Sequence, residues 1–309
     1  MGYTNFDEVL SDAARLNNTR VAVACAHERS IMEALYLAQC SGLARPVLIG
    51  DAEIIEVIAG DIGYTIEPDM VVDEPDDVTA ARKAVQMVRE GTCQVLMKGQ
   101  IHTADLLRAI LDREAGLRTG RLISHVFILE MEDRLLIVTD AAMNIKPDLL
   151  QKAQLICNAV YVARGLGIEL PKVAVLTAVE TINPDVPSTI DAAILSKMAE
   201  RNQIKDCIVD GPLQMDNIIS EEAARLKKLS SPVAGKADIV LCPDIETGNA
   251  LVKIFAHSTG RRVVGLLVGA AAPVVLTSRA DTAESKMLSI AVATILANKT
   301  HIKPGTVSL

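Results

Sequence analysis

Aromatic residues are nearly missing from this chain. Tryptophan is absent, and aromatic residues make up 2% of the 309 residues. Proteins that bind single-stranded nucleic acid stack the bases on aromatic side chains, so little material for that function is present. The net charge of −8 also argues against binding to a phosphate backbone, which needs a basic surface. We therefore expect no nucleic-acid partner, and any anionic ligand must be held by local groups.

The features of secreted, membrane and zinc-binding proteins are missing as well. The first residues, MGYTNFDEVL, lack a basic segment followed by an apolar one, and no segment reaches the roughly 18 apolar residues of a membrane span. The six cysteines include no C-x-x-C pair, and Cys25 and Cys242 end apolar runs, where a buried free thiol is expected. We expect a cytoplasmic protein without membrane contact and without a metal.

Short apolar runs rich in Val and Ile recur along the chain, with amphipathic stretches between them. Continuous rather than alternating apolar strands are typical of parallel sheets that helices cover on both faces. The sequence therefore predicts an α/β fold with largely parallel sheets, and its length suggests two domains. The predicted strands are residues 21–26, 46–50, 70–72, 94–97, 135–139, 172–177, 207–210, 237–242, 263–269 and 273–277.

One stretch breaks the parallel pattern. The strand-like runs HVFILEM and RLLIVT are separated only by Glu132 and Asp133, which predicts an antiparallel hairpin with a tight turn. We place a change of domain near Gly120, just before this hairpin. The predicted domain I comprises residues 1–120 and 268–309, and the predicted domain II comprises residues 121–267.

The last helix has strong sequence signals. Asp281 is predicted as its N-cap, with Glu284 three residues later as the capping-box partner, and the helix is expected to run to about Ala297. An apolar stripe predicts an amphipathic helix that returns to domain I.

The strongest local signal for a binding site lies in VVLTSRADTAESKM, residues 274–287. An apolar strand ends at Ser278 and Arg279, and a helix follows. Ligands of open α/β sheets bind beyond the carboxyl ends of the strands, and helix N-termini favour anions. Ser278 and Arg279 are therefore candidates to meet a phosphate or an oxyanion, although an ordinary loop with a solvated arginine has the same spacing.

A second candidate segment is MKGQIHTADLLRAIL, residues 97–111, where another strand passes into a helix. It supplies Lys98, His102, Thr103 and Arg108 within about three helical turns. For His102 and Arg108 there is also an explanation that involves no ligand. A capping or loop histidine is the more frequent role for His102, and a surface ion pair explains Arg108 equally well.

A third candidate segment, SSPVAGKADIVLCPDIETGN, combines a glycine turn, a buried strand and Gly248-Asn249 at the strand's exit. It matches neither G-x-G-x-x-G nor the P-loop pattern, and a tight turn alone explains its VAGK sequence. Asn249 and Lys253 are candidates to bind substrate. Asp140 and Asp210 also end strands, where capping the next segment is the more frequent role.

Together these segments resemble the phosphate acetyl/butyryltransferase family, and most closely its butyryl-transferring members. The resemblance runs from about Val21 to about Ala297. It is carried by MKGQIHTADLLRAIL, GLRTGRLISHV, LLIVTDAAMN, AVETINPDVPSTIDAAILSKM, VDGPLQMD, VAGKADIVLCPDIETGN and APVVLTSRADTAESKM.

The resemblance implies a two-domain fold like that of isocitrate and isopropylmalate dehydrogenases, with a cleft between the domains. It also implies a homodimer or an assembly of dimers. The implied reaction is direct transfer of an acyl group from acyl-CoA to phosphate, giving acyl phosphate and CoA. Coenzyme A is then a substrate, no metal or other cofactor takes part, and an acid kinase is the implied pathway partner.

The resemblance also assigns roles to the candidate residues. Ser278 matches the family serine that meets the carbonyl oxygen, and Arg279 and Arg108 match arginines that hold phosphate. Lys98, His102 and Thr103 are further candidates to bind phosphate or CoA. Glu284 is a candidate base, but this assignment stays open because acetyl-specific relatives have Asp where this chain has Ser285.

The acyl group implied is butyryl or a similar C3–C5 group, including branched ones. The alternatives are phosphate acetyltransferase as the main activity, or a non-catalytic domain that senses acyl-CoA or acyl phosphate. A decarboxylating dehydrogenase of the same fold would need an acidic metal cluster and an adenine-binding loop, and the sequence offers neither. A transferase acting on acyl-carrier protein would need a basic docking surface, which an acidic chain does not favour.

Overall fold

The computed structural model describes residues 2–16, 18–278, 281–299 and 307, and these form eleven α-helices and eleven β-strands. The helices are α1 (Phe6–Arg15), α2 (Arg29–Cys40), α3 (Ala52–Ile62), α4 (Asp77–Arg89), α5 (Thr103–Ile110), α6 (Leu149–Gly165), α7 (Pro187–Glu200), α8 (Met215–Ile219), α9 (Glu221–Leu226), α10 (Ile245–Ser258) and α11 (Ala283–Asn298). The strands are β1 (Arg20–Ala24), β2 (Arg45–Gly50), β3 (Val71–Asp73), β4 (Val95–Lys98), β5 (Ser124–Glu130), β6 (Leu135–Thr139), β7 (Lys172–Leu176), β8 (Ile208–Leu213), β9 (Ile239–Leu241), β10 (Val263–Val268) and β11 (Val274–Val275).

The described chain divides into two compact units. The N-terminal unit comprises residues 6–121 and 264–299, and the central unit comprises residues 2–5 and 122–263. The predicted division placed residues 2–5 in domain I, and the structure differs there. The backbone N–H of Tyr3 donates to the carbonyl of Leu166, at 3.0 Å, just after α6. This hydrogen bond attaches the first residues to the central unit.

The N-terminal unit is built on strands in the order β3-β2-β1-β4-β11-β10. The neighbouring pairs from β3 to β11 are parallel, as continuous apolar runs predict. Strands β10 and β11 are antiparallel, with Leu266 opposite Val275. The sequence analysis did not predict this second break in the parallel pattern. Residues 269–273 are too few for the crossover that a parallel pair requires.

The central unit has the strand order β5-β6-β9-β7-β8. Strands β5 and β6 form the predicted antiparallel hairpin, closed where the N–H of Met131 donates to the carbonyl of Arg134 at 2.8 Å. The pairs β6-β9, β9-β7 and β7-β8 are parallel. The prediction of an α/β fold with largely parallel sheets is confirmed in both units.

Helix α11 returns to the N-terminal unit, as predicted, but it is not amphipathic. Every residue from 288 to 296 is buried, because α1 and α2 contact this helix and β11 lies beside it. Thr294 Oγ1 donates to the carbonyl of Leu43 at 3.2 Å, and Asn298 Nδ2 donates to Thr19 Oγ1 at 2.8 Å. Within the described residues, no helix combines the length and apolar character that crossing a membrane requires.

The cysteine side chains are free thiols, as predicted, and most are shielded from solvent. Cys25, Cys93, Cys157 and Cys242 are buried, and Cys207 is partly buried. Burial raises the pKa of Cys242 to about 12 and that of Cys207 to about 12. Since the thiolate is the reactive form, these side chains are protected near neutral pH. Cys40, at the end of α2, is exposed.

We therefore expect a thiol reagent at about pH 8 to modify the exposed Cys40 of the native chain rapidly and the other cysteines slowly. Cys40→Ser should abolish the rapid phase, and unfolding should expose all six thiols. Rapid modification of a second cysteine in the Cys40→Ser variant would contradict the burial described above.

Candidate active site

Strand β4 lies between β1 and β11 and is parallel to both. Ala24 pairs with Lys98, and Val275 pairs with Met97, so the three strands end at one edge of the sheet. Helices α5 and α11 begin shortly after this edge. Carboxyl ends of parallel strands and helix N-termini both favour anionic ligands. We call this edge, with residues 98–103, 276–278 and 281–282, the strand-end site.

The backbones of β1 and β4 approach closely where they enter the strand-end site. The N–H of Gly99 donates to the carbonyl of Ala24 at 2.8 Å, and a Cβ at this position would lie 2.1 Å from the carbonyl oxygen of Cys25. Only glycine is compatible with such an approach. Cys25 itself has a left-handed conformation, with φ 60°, which non-glycine residues adopt at a cost.

Lys98 brings a buried cation to this edge. Its side chain is 9% exposed, and Nζ donates to the carbonyl of Gly99 at 3.2 Å, so that the ammonium group lies over the end of its own strand. A lysine is rarely buried without a reason in packing or function.

Ser278 lies on the other side of the edge, after β11, and is exposed. Its N–H donates to Asp281 Oδ2 at 2.7 Å, and the N–H of Asp281 donates to the carbonyl of Ser278 at 3.1 Å. These two hydrogen bonds join Ser278 to Asp281. Arg279, the second predicted residue of this segment, lies outside the described residues.

The start of α11 differs from the prediction. Thr282, not Asp281, is the N-cap, and its Oγ1 accepts a hydrogen bond from the N–H of Ser285 at 3.1 Å. The carboxylate of Asp281 is used by Ser278 instead. The capping box predicted for Asp281 and Glu284 is therefore wrong. Glu284 is exposed in the first turn of the helix, and its carboxylate makes no hydrogen bond to any described residue.

Helix α5 begins without a side-chain cap. His102 is the N-cap residue through its backbone, since its carbonyl accepts from the N–H groups of Asp105 and Leu106, but its exposed side chain makes no capping hydrogen bond within the described structure. His102 is thus a capping residue, the alternative considered from the sequence, and contact with a ligand stays a prediction. Thr103 is the first residue of the helix. Among the described residues, no group accepts from the N–H groups of Thr103 and Ala104, which leaves these two donors open to an anion.

Arg108 lies further along α5, and its guanidinium contacts the carboxylate of Asp105. The side chain is 76% exposed and lines a groove of about 830 Å³ between α4 and α5, together with Arg82 and Arg89. The surface ion pair considered from the sequence is present. Contact between Arg108 and phosphate stays a prediction.

Sequence reasoning assigned no role to two titratable side chains near this edge. His27 follows β1, and its Nε2 lies 3.5 Å from Asp77 Oδ1, while its buried Nδ1 has no hydrogen-bond partner among the described residues. Its position after a strand was the available signal. Lys286, near the start of α11, is 1% exposed. No signal in the sequence marks it, because a lysine in a helix is usually at the surface.

In the central unit, Asp140 organises the loop that follows β6. Its carboxylate accepts hydrogen bonds from the N–H groups of Ala142 and Met143, both at 2.9 Å, and from that of His125 at 3.1 Å. The capping role predicted for Asp140 is confirmed. Asn249, on α10, donates through Nδ2 to the carbonyl of Ala141 at 3.0 Å.

The two substrate-binding candidates of the central unit share one face of α10. Asn249 and Lys253 are both exposed, and residues four apart lie on the same side of a helix. The hydrogen bond of Asn249 to the loop gives its amide a structural role. Binding of substrate by either residue stays a prediction.

A cavity of about 1120 Å³ opens near the ends of β7, β8 and β9 of the central unit. Its lining is mostly apolar and includes Leu251 and Ile254, with a partly buried ion pair in its wall. Lys152 Nζ lies 2.6 Å from Asp191 Oδ2, and the lysine side chain is 7% exposed. Among the described residues, no three His, Cys, Asp or Glu side chains come together as metal ligands.

Comparison with known proteins identifies the class to which this fold and site belong. The family model for phosphate acetyl/butaryl transferase matches residues 75–294, which include every element of the strand-end site except β1. The chain belongs to this family and is a transferase.

Two curated relatives cover nearly the whole chain. Phosphate butyryltransferase of Clostridium acetobutylicum is 48% identical over 295 residues, 95% of this chain and 98% of its own. Phosphate acetyltransferase of Thermotoga maritima is 45% identical over 294 residues, 94% of this chain and 100% of its own. The acyl groups named for these two relatives differ, although the two have similar sequence identity to this chain.

Solved structures agree with the fold. A branched-chain phosphotransacylase from Enterococcus faecalis superimposes with a TM-score of 0.81 at 32% identity, covering 91% of this chain and 99% of its own. A putative 4-hydroxythreonine-4-phosphate dehydrogenase from Salmonella typhimurium, 14% identical, gives a TM-score of 0.60 and covers 90% of this chain and 99% of its own. The second likeness concerns the fold alone, and it agrees with the predicted dehydrogenase-like architecture.

The close backbone approach at Gly99 gives a test of the strand-end site. Gly99→Ala should lower the free energy of unfolding by about 1–3 kcal/mol, because the added Cβ must push β4 away from the backbone of β1. Urea unfolding measures the change. Gly60→Ala is the matched control, since no atom lies within 4 Å of a Cβ there, and in helix α3 alanine should stabilise by up to about 1 kcal/mol. Equal effects of the two substitutions would contradict the close approach.

Proposed function

We propose that this chain transfers a short acyl group reversibly between coenzyme A and inorganic phosphate. An oxygen of monohydrogen phosphate attacks the thioester carbonyl carbon, the new C–O bond forms, and the C–S bond breaks as CoA leaves. The proton of the phosphate ends on the CoA sulfur, and the products are acyl phosphate and CoA. The transfer is direct, without an acyl-enzyme, and neither a metal nor a further cofactor takes part.

The observation that carries the proposal is the position of Ser278. It follows strand β11, its backbone N–H is hydrogen-bonded to Asp281, and its side chain is exposed. A fixed hydroxyl donor there suits the oxyanion that the thioester carbonyl becomes in the transition state. One such donor typically lowers the barrier by about 3 kcal/mol.

Phosphate binding is supported by the positive groups of the same edge. Lys98 brings an ammonium group to the end of β4, and the uncapped first turn of α5 offers backbone donors beside Thr103. Arg279 is proposed as the guanidinium that holds phosphate oxygens, because it follows Ser278 directly. Arg108, His102, Asn249 and Lys253 are proposed as secondary contacts to phosphate or CoA.

We propose butyryl, or a similar C3–C5 group, as the transferred acyl group. The support is the identity to a phosphate butyryltransferase and the likeness to a branched-chain phosphotransacylase. One methylene in an apolar pocket changes binding by about 1–3 kcal/mol, so neighbouring chain lengths should also react. Acetyl is the alternative, supported by the relative named phosphate acetyltransferase.

The setting of the reaction is part of the proposal. We propose a cytoplasmic homodimer, or an assembly of dimers, whose acyl phosphate an acid kinase consumes. Large apolar side chains exposed on the central unit, including Ile145 at 69% and Ile254 at 62%, support self-association. A monomeric mass in sedimentation at micromolar concentration would contradict the dimer.

The decisive experiment follows the loss of thioester from acetyl-, propionyl-, butyryl- and isobutyryl-CoA with and without phosphate. Direct detection of the thioester avoids thiol reagents, which would also modify Cys40. We expect the reaction to require phosphate and to be fastest near butyryl. Ser278→Ala and Arg279→Ala should each lower the rate about a hundredfold, because each removes a group that stabilises the transition state.

Ser41→Ala is the matched control, since Ser41 is an exposed serine of the same unit at the end of α2. Its rate should equal that of the wild type. A preference for acetyl-CoA would select the acetyl alternative. Binding of CoA without phosphate-dependent reaction of any thioester would overturn the transferase proposal in favour of a sensing domain.

A further inference from the structure

Helix α11 carries a buried cation whose role the proposed reaction does not yet include. The side chain of Lys286 is 1% exposed, and its Nζ donates to the carbonyl of Asp281 at 2.5 Å. No carboxylate of the described residues lies within ion-pair distance of this ammonium group. Burying an ammonium group without a carboxylate partner is costly, so packing alone does not account for a lysine here.

The contact of Lys286 leads directly to the strand-end site. The carbonyl of Asp281 accepts from Lys286. The carboxylate of Asp281 accepts from the N–H of Ser278 at 2.7 Å. The N–H of Asp281 donates to the carbonyl of Ser278 at 3.1 Å. The ammonium group, the Asp281 peptide and the Ser278 backbone thus form one connected hydrogen-bond path. Helix α11, buried in the N-terminal unit, is the rigid base from which this path begins.

The helix cap made by Thr282 cannot substitute for the hydrogen bond from Lys286 to Asp281. Its hydroxyl caps α11 through the N–H of Ser285 and thereby fixes the helix start. If the lysine were replaced, the carbonyl of Asp281 would lose the Lys286 donor, and Asp281 would be held less firmly against α11. A displacement of about 1 Å in a catalytic group can cost about a hundredfold in rate.

We propose that Lys286 is a positioning residue that holds the Ser278 hydroxyl in place through Asp281. The inference rests on the proposed acyl transfer at Ser278. Lys286 does not touch substrate in this role. It acts by fixing Asp281, the hydrogen-bond partner of Ser278, so its contribution exists only while Ser278 has a hydroxyl group to place.

The test is a double-mutant cycle on butyryl-CoA and phosphate, with Lys286→Met, Ser278→Ala and the double variant. We expect Lys286→Met to lower kcat about ten- to a hundredfold while KM for butyryl-CoA changes less than about threefold. In the Ser278→Ala background the same substitution should lower kcat by less than about threefold, because there is no hydroxyl to misplace. Lys83→Met, at a surface ion pair of the same unit, is the control and should leave kcat unchanged.

Asp281→Ala gives a second route to the same result, because it removes the carboxylate that accepts the Ser278 N–H and leaves Lys286 in place. It should reproduce the fall in kcat and the coupling to Ser278. Thermal unfolding checks that each variant is folded. Independent losses that multiply in the double variants, or an unchanged kcat in folded Lys286→Met, would overturn the inference while leaving the transferase proposal intact. A wild-type chain without phosphate-dependent activity would instead remove the proposed function and this inference with it.

Discussion

The parallel pairing of β4 with β1 on one side and β11 on the other is the constraint on which the strand-end site depends. It brings Lys98 and Ser278, distant in sequence, to one edge of the sheet. Strand β11 has only two residues, and its position also depends on the N–H of Leu96, which donates to the carbonyl of Pro273 at 3.2 Å. The missing side chain of Gly99 lets the ends of β1 and β4 meet. A substitution that separates these strands therefore alters the site without touching a ligand.

Helix α11, which begins shortly after Ser278, is the second element that supports the strand-end site. Burial on all sides and hydrogen bonds from Thr294 and Asn298 hold the helix within the N-terminal unit. Strand β11 in the sheet and helix α11 in the core are thus both held in place. Ser278, the proposed catalytic residue, follows the strand and is hydrogen-bonded to Asp281, just before the helix. Its backbone is held by this contact while its side chain is exposed to substrate.

Elements with one dominant local signal were predicted correctly from the sequence. Continuous apolar runs identified the parallel strands, and the Glu132-Asp133 turn identified the hairpin. The cap of α11 was not predicted, because Asp281 and Thr282 are both good caps. The choice between them depends on the N–H of Ser278, a contact that the capping-box pattern does not include. Residues 2–5 were misplaced for a similar reason, since a tertiary hydrogen bond to Leu166 decides their unit.

The sequence predicted a site residue only where that residue lies at or after the end of a strand. Lys98 ends β4, Ser278 and Thr103 follow strands, and the structure brings all three to one edge. Lys286 lies in the interior of a helical pattern, where lysine usually indicates the solvent face. Its burial arises from packing around α11, which only the folded chain reveals. Arg108 shows the converse, since a helical arginine near the site makes a surface ion pair with Asp105.

The proton balance of the proposed reaction bears on the unassigned base. When monohydrogen phosphate attacks acyl-CoA, the proton lost by phosphate equals the proton gained by the CoA sulfur, so the site needs a relay and not a net acceptor. In the reverse direction the CoA thiol, of pKa about 8.5, must lose a proton while phosphate gains one. Glu284, an exposed carboxylate in the first turn of α11, stays our candidate for this relay.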